Sequence, residues 1–227
     1  NQLWAWDGVA WTQLAITSPN PGAPTSGTMA HDPLRSLMIL TGSTGTWTWD
    51  GTTWTQESAT PTTFGSILWS DSRASLVGVA QNAAVSAYVA GEWTEILPAV
   101  TPGGMRASID PATGEVILAG RVPDPSQSQG FRVNGSNRTP IPINKTAPPE
   151  TSNVGMTTDS RTGITVLSSI VPGTWELRGD HWRSDSSSSP GSSVFAQWYD
   201  PALGSTLATF NANQVRRWMG DSWISVS

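Results

Sequence analysis

His31 and His181 are the only imidazoles in the chain, each beside an aspartate, Asp32 and Asp180, and 150 residues apart in sequence. Acid–base or metal chemistry needs several such groups to converge. His31 instead ends a strand pattern and His181 borders a turn, so both read as structural or exposed. Five carboxylates, Asp32 among them with Asp71, Asp110, Asp159 and Asp200, recur at one position of a repeated segment, each before Pro or Ser. There an Asp accepts local backbone N–H groups, which assigns the five to turns. The chain has no cysteine, which excludes disulfides, thiolate metal sites and a cysteine nucleophile. No phosphate-binding glycine loop, His-rich ligand spacing or G-x-S-x-G elbow occurs. The residues therefore predict no catalytic site, no metal and no cofactor. Carboxylates from different repeats meeting at an axis keep a glycan-active enzyme as the lowest-ranked reading.

The elements that position these residues are legible from repeats. TWTWDGTTWTQ at 46–56 aligns with LWAWDGVAWTQ at 3–13, VSAYVAGEWTE at 85–95, GFRVNGSNRTP at 130–140, TWELRGDHWRS at 174–184 and VRRWMGDSWIS at 215–225. With Gly8, Gly51, Ala90, Gly135, Gly179 and Gly220 equivalent, the copies are 39 to 45 residues apart, a period of propellers and solenoids. Each copy reads as two short strands around a turn. Asp7-Gly8, Asp50-Gly51 and Asn134-Gly135 suit type I′ turns, and the copy with Ala90 turns on Ala90-Gly91 with a longer loop. Trp11, Trp54, Trp93, Trp182 and Trp223 form one column three residues past the turn position, assigned to packing between repeats.

Between these hairpins lies a second unit, at 28–40, 67–79, 106–118, 155–167 and 196–208. A strand of small and apolar residues runs into the repeated Asp, turns, and returns as an aliphatic strand. One inner and one outer hairpin make four strands in about 40 residues, which predicts an all-β, four-stranded-blade β-propeller occupying 1–227 as a single domain. The small-residue strand is expected innermost. Five complete repeats leave the outer hairpin at 3–15 unmatched. Either six blade positions include an incomplete one, or a five-bladed ring carries a displaced hairpin, or an upstream segment or second chain supplies the missing pair.

Residues 32–56, with Asp-Pro, an aliphatic strand and W-x-W-D-G-x-x-W-T, resemble the bacterial, Trp-rich branch of the kelch-like propeller repeat family, and the resemblance runs in weaker form through the whole chain. The glycine doublet usual after the second kelch strand is absent, Thr41-Gly42 and Ala119-Gly120 coming nearest. The resemblance implies a propeller and a binding role. The copper-radical oxidases of the wider group use a cysteine-linked tyrosine, which this chain cannot form.

The 227 residues carry a net charge of −5, and Lys145 is the sole lysine beside eleven arginines. That balance argues against a nucleic-acid surface. No apolar run of 18 residues crosses a membrane, and a start on NQLWAWDG reads as a mature or trimmed chain, consistent with an extracellular or cell-envelope protein. Function tends to ride on long loops, and the longer segments fall on the face opposite the tight turns. RVPDPSQSQGFR at 121–132 and the segment after 140 bring Arg121, Asp124, Gln127, Gln129, Arg132 and Lys145 toward one rim. The expected function is a non-catalytic module binding a protein partner on that face. The alternative is a multivalent lectin stacking sugars on rings such as Trp47 and Trp175, which requires those rings to be exposed.

Overall fold

Short runs of β-branched, aromatic and small residues, punctuated by Asp, Gly and Pro, give antiparallel strands throughout. The computed structural model describes residues 2–7, 9–16, 18–24, 27–57, 63–100, 104–119, 130–141, 155–168, 173–185, 194–210 and 214–226. Among them every element is a strand.

The N-terminal hairpin is β1 (Leu3–Trp6) and β2 (Trp11–Leu14). Blade one is β3 (Thr28–Asp32), β4 (Leu37–Gly42), β5 (Gly45–Trp49) and β6 (Trp54–Gln56), and blade two β7 (Phe64–Ser70), β8 (Ser75–Ala80), β9 (Val85–Val89) and β10 (Glu92–Leu97). Blade three is β11 (Arg106–Ile109), β12 (Val116–Ala119), β13 (Gly130–Asn134) and β14 (Asn137–Pro140). Blade four comprises β15 (Gly155–Thr158), β16 (Thr165–Ser168), β17 (Thr174–Arg178) and β18 (His181–Asp185). Blade five comprises β19 (Val194–Asp200), β20 (Ser205–Phe210), β21 (Gln214–Trp218) and β22 (Trp223–Ser225). Each blade is an antiparallel meander in chain order, while β1 and β2 form a sheet of their own. The fold is thus an all-β propeller of five four-stranded blades with an extra N-terminal hairpin, as the repeats predict.

The chain divides into two compact units, Asn1–Ala80 with Val85–Leu97, and Gln81–Ala84 with Pro98–Ser227. In the first, β3 lies against β7; in the second, β11 adjoins β15 and β15 adjoins β19. First strands therefore neighbour one another, most tightly where Gly155 faces β19: a Cβ there would come within 2.6 Å of Val194. The first unit has a core of Leu40, Trp47, Trp49 and Trp54, against which Leu3, Ile16 and Met38 pack. The second has a core of Ile117, Ala119, Ile141, Met156, Leu167, Trp175, Leu177 and Trp182.

The outer turns differ from the expected type I′ pairs. Trp49 pairs with Trp54, leaving a four-residue loop closed by the Asp50 N–H donating to the Thr53 carbonyl, and of Asp50 and Gly51 only Gly51 has positive φ. The reason is the aspartate. Its Oδ1 accepts the amides of Thr52 and Thr53 at 2.7 Å each, and this holds the Asp50 carboxyl well below its ordinary range, so four residues are better satisfied than two. Asp7 accepts Val9 and Ala10 N–H in the same way. Gly135 and Gly179 open two-residue loops with φ near +60°, the glycine position of a type II′ turn. The pair with positive φ at both residues is Ala90-Gly91, in a two-residue loop rather than a longer one.

At Gly78 on β8 an added Cβ would sit 2.7 Å from the Phe64 ring and 2.8 Å from that of Trp93. Gly78→Ala is expected to destabilise the protein by about 1–3 kcal/mol through overpacking, read as a lowered melting temperature.

Candidate functional site

The side chains that could bind a ligand are the tryptophans, the arginines and the repeated carboxylates, and the structure engages most of them internally. Trp47 and Trp175 are 7% and 2% exposed. Neither is a stacking platform, which corrects the assignment of these two rings to sugar binding. Trp47 lies opposite Leu40 across β5 and β4 and donates its Nε1 to the Thr44 carbonyl at 3.2 Å; Trp175 is sealed in a core cluster drawn from blades three and four.

A repeated seam engages other rings of the outer hairpins. Indole and phenol rings bring a polar handle into the core that needs a partner, and here the partner is on the preceding repeat. Trp93 Nε1 in blade two donates to Thr46 Oγ1 in blade one at 3.0 Å. Trp223 Nε1 in blade five donates to Thr174 Oγ1 in blade four at 2.8 Å. Two positions before the turn residue the same relation holds for Trp218 Nε1, donating to Glu176 Oε1 at 3.0 Å, and for the Tyr88 hydroxyl, donating to Glu57. Burial and the Glu57 carboxylate push the Tyr88 phenol well above its ordinary pKa, so it remains a donor.

Blade three has no tryptophan in this column. Arg138 stands there and donates Nη2 to the carbonyls of Ala83 at 2.7 Å and Pro98 at 3.0 Å. Sequence reasoning missed this residue, although its register, three past Gly135, was a usable signal. Within the column Trp54 and Trp182 are buried, while Trp11 is exposed.

Arg132, expected on a long-loop rim, lies on β13 with its guanidinium committed internally. Nε donates to Asp180 at 3.1 Å, Nη1 to Asp110 at 3.3 Å and Glu115 at 3.4 Å, and Nη2 to the Gly179 carbonyl at 2.6 Å. It joins blades three and four rather than facing a ligand. Arg121, Asp124, Gln127, Gln129 and Lys145, and the turn residue Gly8, lie outside the described residues.

Asp32, Asp110, Asp159 and Asp200 accept main-chain amides two residues on, whereas Asp71 accepts the Trp69 indole N–H at 2.8 Å. His31 and His181 are exposed. Among the described residues no group of three His, Cys, Asp or Glu side chains is arranged to hold a metal.

A cleft of about 270 Å³ lies between blades four and five, on the tight-turn side, lined by Asp159, Glu176, Arg178, Thr206, Arg217 and Trp218 among others. Both carboxylates there are already matched. Glu176 takes Arg178 at 2.7 Å and Trp218. Burial raises the Asp159 carboxyl, but hydrogen bonds from Thr162 and the Arg161 amide outweigh this and leave its pKa lowered. Arg217 spends Nε on Ser205 Oγ and Nη2 on the Leu203 carbonyl. The cleft thus offers spare guanidinium donors to an acceptor, with no nucleophile–base pair beside them.

The fold has known counterparts. The chain superposes over its whole length on the WD40 β-propeller domain of Doa1, covering 75% of that chain, with a TM-score of 0.64 and 11% identity. A nidogen/laminin complex matches 84% of this chain and 74% of that one, with a TM-score of 0.62 and 12% identity. A structural genomics protein of unknown function from Bacteroides thetaiotaomicron has a TM-score of 0.62 at 10% identity, the chain spanning 54% of its length. At such identities the likeness establishes the propeller fold alone. No protein-family model and no curated protein matches the chain, so the kelch-like resemblance rests on the repeat pattern.

Two outcomes follow from the seam and the turns. A double-mutant cycle on Trp93→Phe and Thr46→Val is expected to give a coupling of about 0.5–1.5 kcal/mol in denaturant unfolding. The Asp159 pKa is depressed on folding, so its contribution is present above the usual carboxylate range and lost as pH falls through its folded value. Asp159→Ala should lower the melting temperature at neutral pH, with the deficit closing in acid melts below about pH 4.

Proposed function

We propose that the chain is a non-catalytic binding module that engages a protein partner, within a secreted or cell-surface protein. The observation that carries this reading is the commitment of its reactive-looking groups to the frame: the Arg132 guanidinium, the Glu176 carboxylate and the indoles of Trp93, Trp218 and Trp223 all bridge repeats. A frame fixed in this way presents loops and turn edges rather than a reaction centre. A partner would engage the long-loop face, through Arg121, Asp124, Gln127, Gln129 and Lys145, because loops of that length and polarity are where rigid scaffolds carry recognition. Support for an extracellular setting comes from a similar fold drawn from a nidogen/laminin complex. No helix among the described residues is long and apolar enough to cross a membrane. The multivalent lectin reading loses the exposed Trp47 and Trp175 rings it required.

The test is a glycan array run beside capture from the extracellular protein fraction of the source organism. The expected result is a saturable protein partner, identified by mass spectrometry. Its binding should fall at least about tenfold in a chain carrying Arg121→Ala, Asp124→Ala and Lys145→Ala, with an unchanged melting temperature. Specific glycan binding that survives those three changes would overturn the reading.

A further inference from the structure

The N-terminal hairpin copies the outer half of blade one. Trp4 pairs with Gln13 and Trp6 with Trp11, as Trp47 pairs with Gln56 and Trp49 with Trp54. The ring pairs agree as well: Trp6 and Trp11 have centroids 5.4 Å apart, Trp49 and Trp54 5.2 Å. Asp7 and Asp50 close the two loops with the same amide bonds.

The hairpins differ in what lies alongside. In blade one, β4 takes the second edge of β5, with Leu40 opposite Trp47 and Met38 opposite Trp49. Strand β1 has β2 as its only strand partner among the described residues. The Asp7 N–H to Ala10 carbonyl bond fixes the alternation, so the main-chain groups of Leu3 and Ala5 face β2 and those of Trp4 and Trp6 face the open edge. The side chains record the same gap. Trp4 and Trp11 are 45% and 43% exposed, whereas Trp47 and Trp54 are 7% and 4%. The Trp6 Nε1 is buried with no hydrogen-bond partner, a costly state for an indole N–H.

We propose that β1 is a receiving edge and that the N-terminal hairpin is the outer half of a split blade, completed by strand addition of a β-hairpin of the inner-repeat type. The five complete blades define that occupant. Its returning strand runs antiparallel to β1 with aliphatic side chains opposite Trp4 and Trp6, in the places Leu40 and Met38 hold in blade one. Its leading strand reaches the return through an Asp-headed turn, as in Thr28–Gly42. Addition of this kind draws affinity from main-chain bonds along the edge and specificity from alternate side chains. It also removes an exposed aromatic edge that otherwise invites aggregation.

The test adds a synthetic peptide spanning residues 27–43 to the intact chain, up to its solubility limit, and follows amide hydrogen exchange and light scattering. The expected result is a one-to-one complex in which the Trp4 and Trp6 amides exchange at least about tenfold more slowly. A peptide carrying Leu40→Lys should bind at least about tenfold more weakly. Trp4→Pro in the chain should abolish binding while the hairpin persists, since the Trp4 N–H points away from β2; exchange at Ala5 shows whether it does. If that variant loses the hairpin, the Leu40→Lys peptide decides. The proposal is overturned by absence of peptide binding, by protection elsewhere than β1, by equal affinity of the Leu40→Lys peptide, or by a peptide-free dimer that protects the same amides, which would make a second copy the occupant.

Discussion

The structure depends on one recurring interaction: a donor on the outer hairpin of one repeat reaching back to an acceptor on the repeat before it. Trp93 to Thr46, Arg138 to Ala83 and Pro98, and Trp223 to Thr174 are versions of it in a single column. A propeller blade has no core of its own, and its stability comes from the face it shares with its neighbour. A large ring supplies the apolar area, and its N–H, which would otherwise be buried unmatched, fixes the register of one repeat on the next. Trp93, Trp218 and Trp223 each meet both needs with one side chain.

The same constraint decides what the molecule can offer to a partner. Glu57 and Glu176 act as acceptors for seam aromatics, and Arg35 adds to the first by lying 5.0 Å over the Tyr88 ring while pairing with Asp32 at 2.7 Å. Arg132 does for blades three and four what the indoles do elsewhere. With these groups occupied, the donors left over among the described residues include the spare guanidinium N–H groups of the cleft between blades four and five. The N-terminal hairpin shows the converse: it carries the same ring pair, but β1 has no second strand partner among the described residues and Trp4 and Trp11 stay half-exposed.

The blade architecture was legible in the sequence because turn residues must recur at fixed offsets. The Asp at 32, 71, 110, 159 and 200 and the Gly at 51, 135, 179 and 220 mark strand ends regardless of what packs on the strands between. Turn type was not legible. Asp-Gly suits a type I′ pair, but the Asp50 carboxylate can also accept two amides at once, and that preference wins only once Trp49 and Trp54 pair across the loop. Arg132 looked like loop chemistry because its partners Asp110, Glu115 and Asp180 come from separate segments that only folding unites. Arg138 was not legible as a seam residue for a related reason: the column is marked by tryptophan, whereas the seam requires only a buried stem and an N–H, and a guanidinium supplies both.

Hydrogen exchange at the indole Nε1–H groups, followed by NMR in the native state, tests the seam most directly. The account predicts that Trp93, Trp218 and Trp223 exchange slowly, near the rate set by global unfolding, while Trp4, whose Nε1 bonds only to the neighbouring Gln2 at the surface, exchanges rapidly. Exchange of the three seam indoles as fast as Trp4 in the folded protein would contradict it.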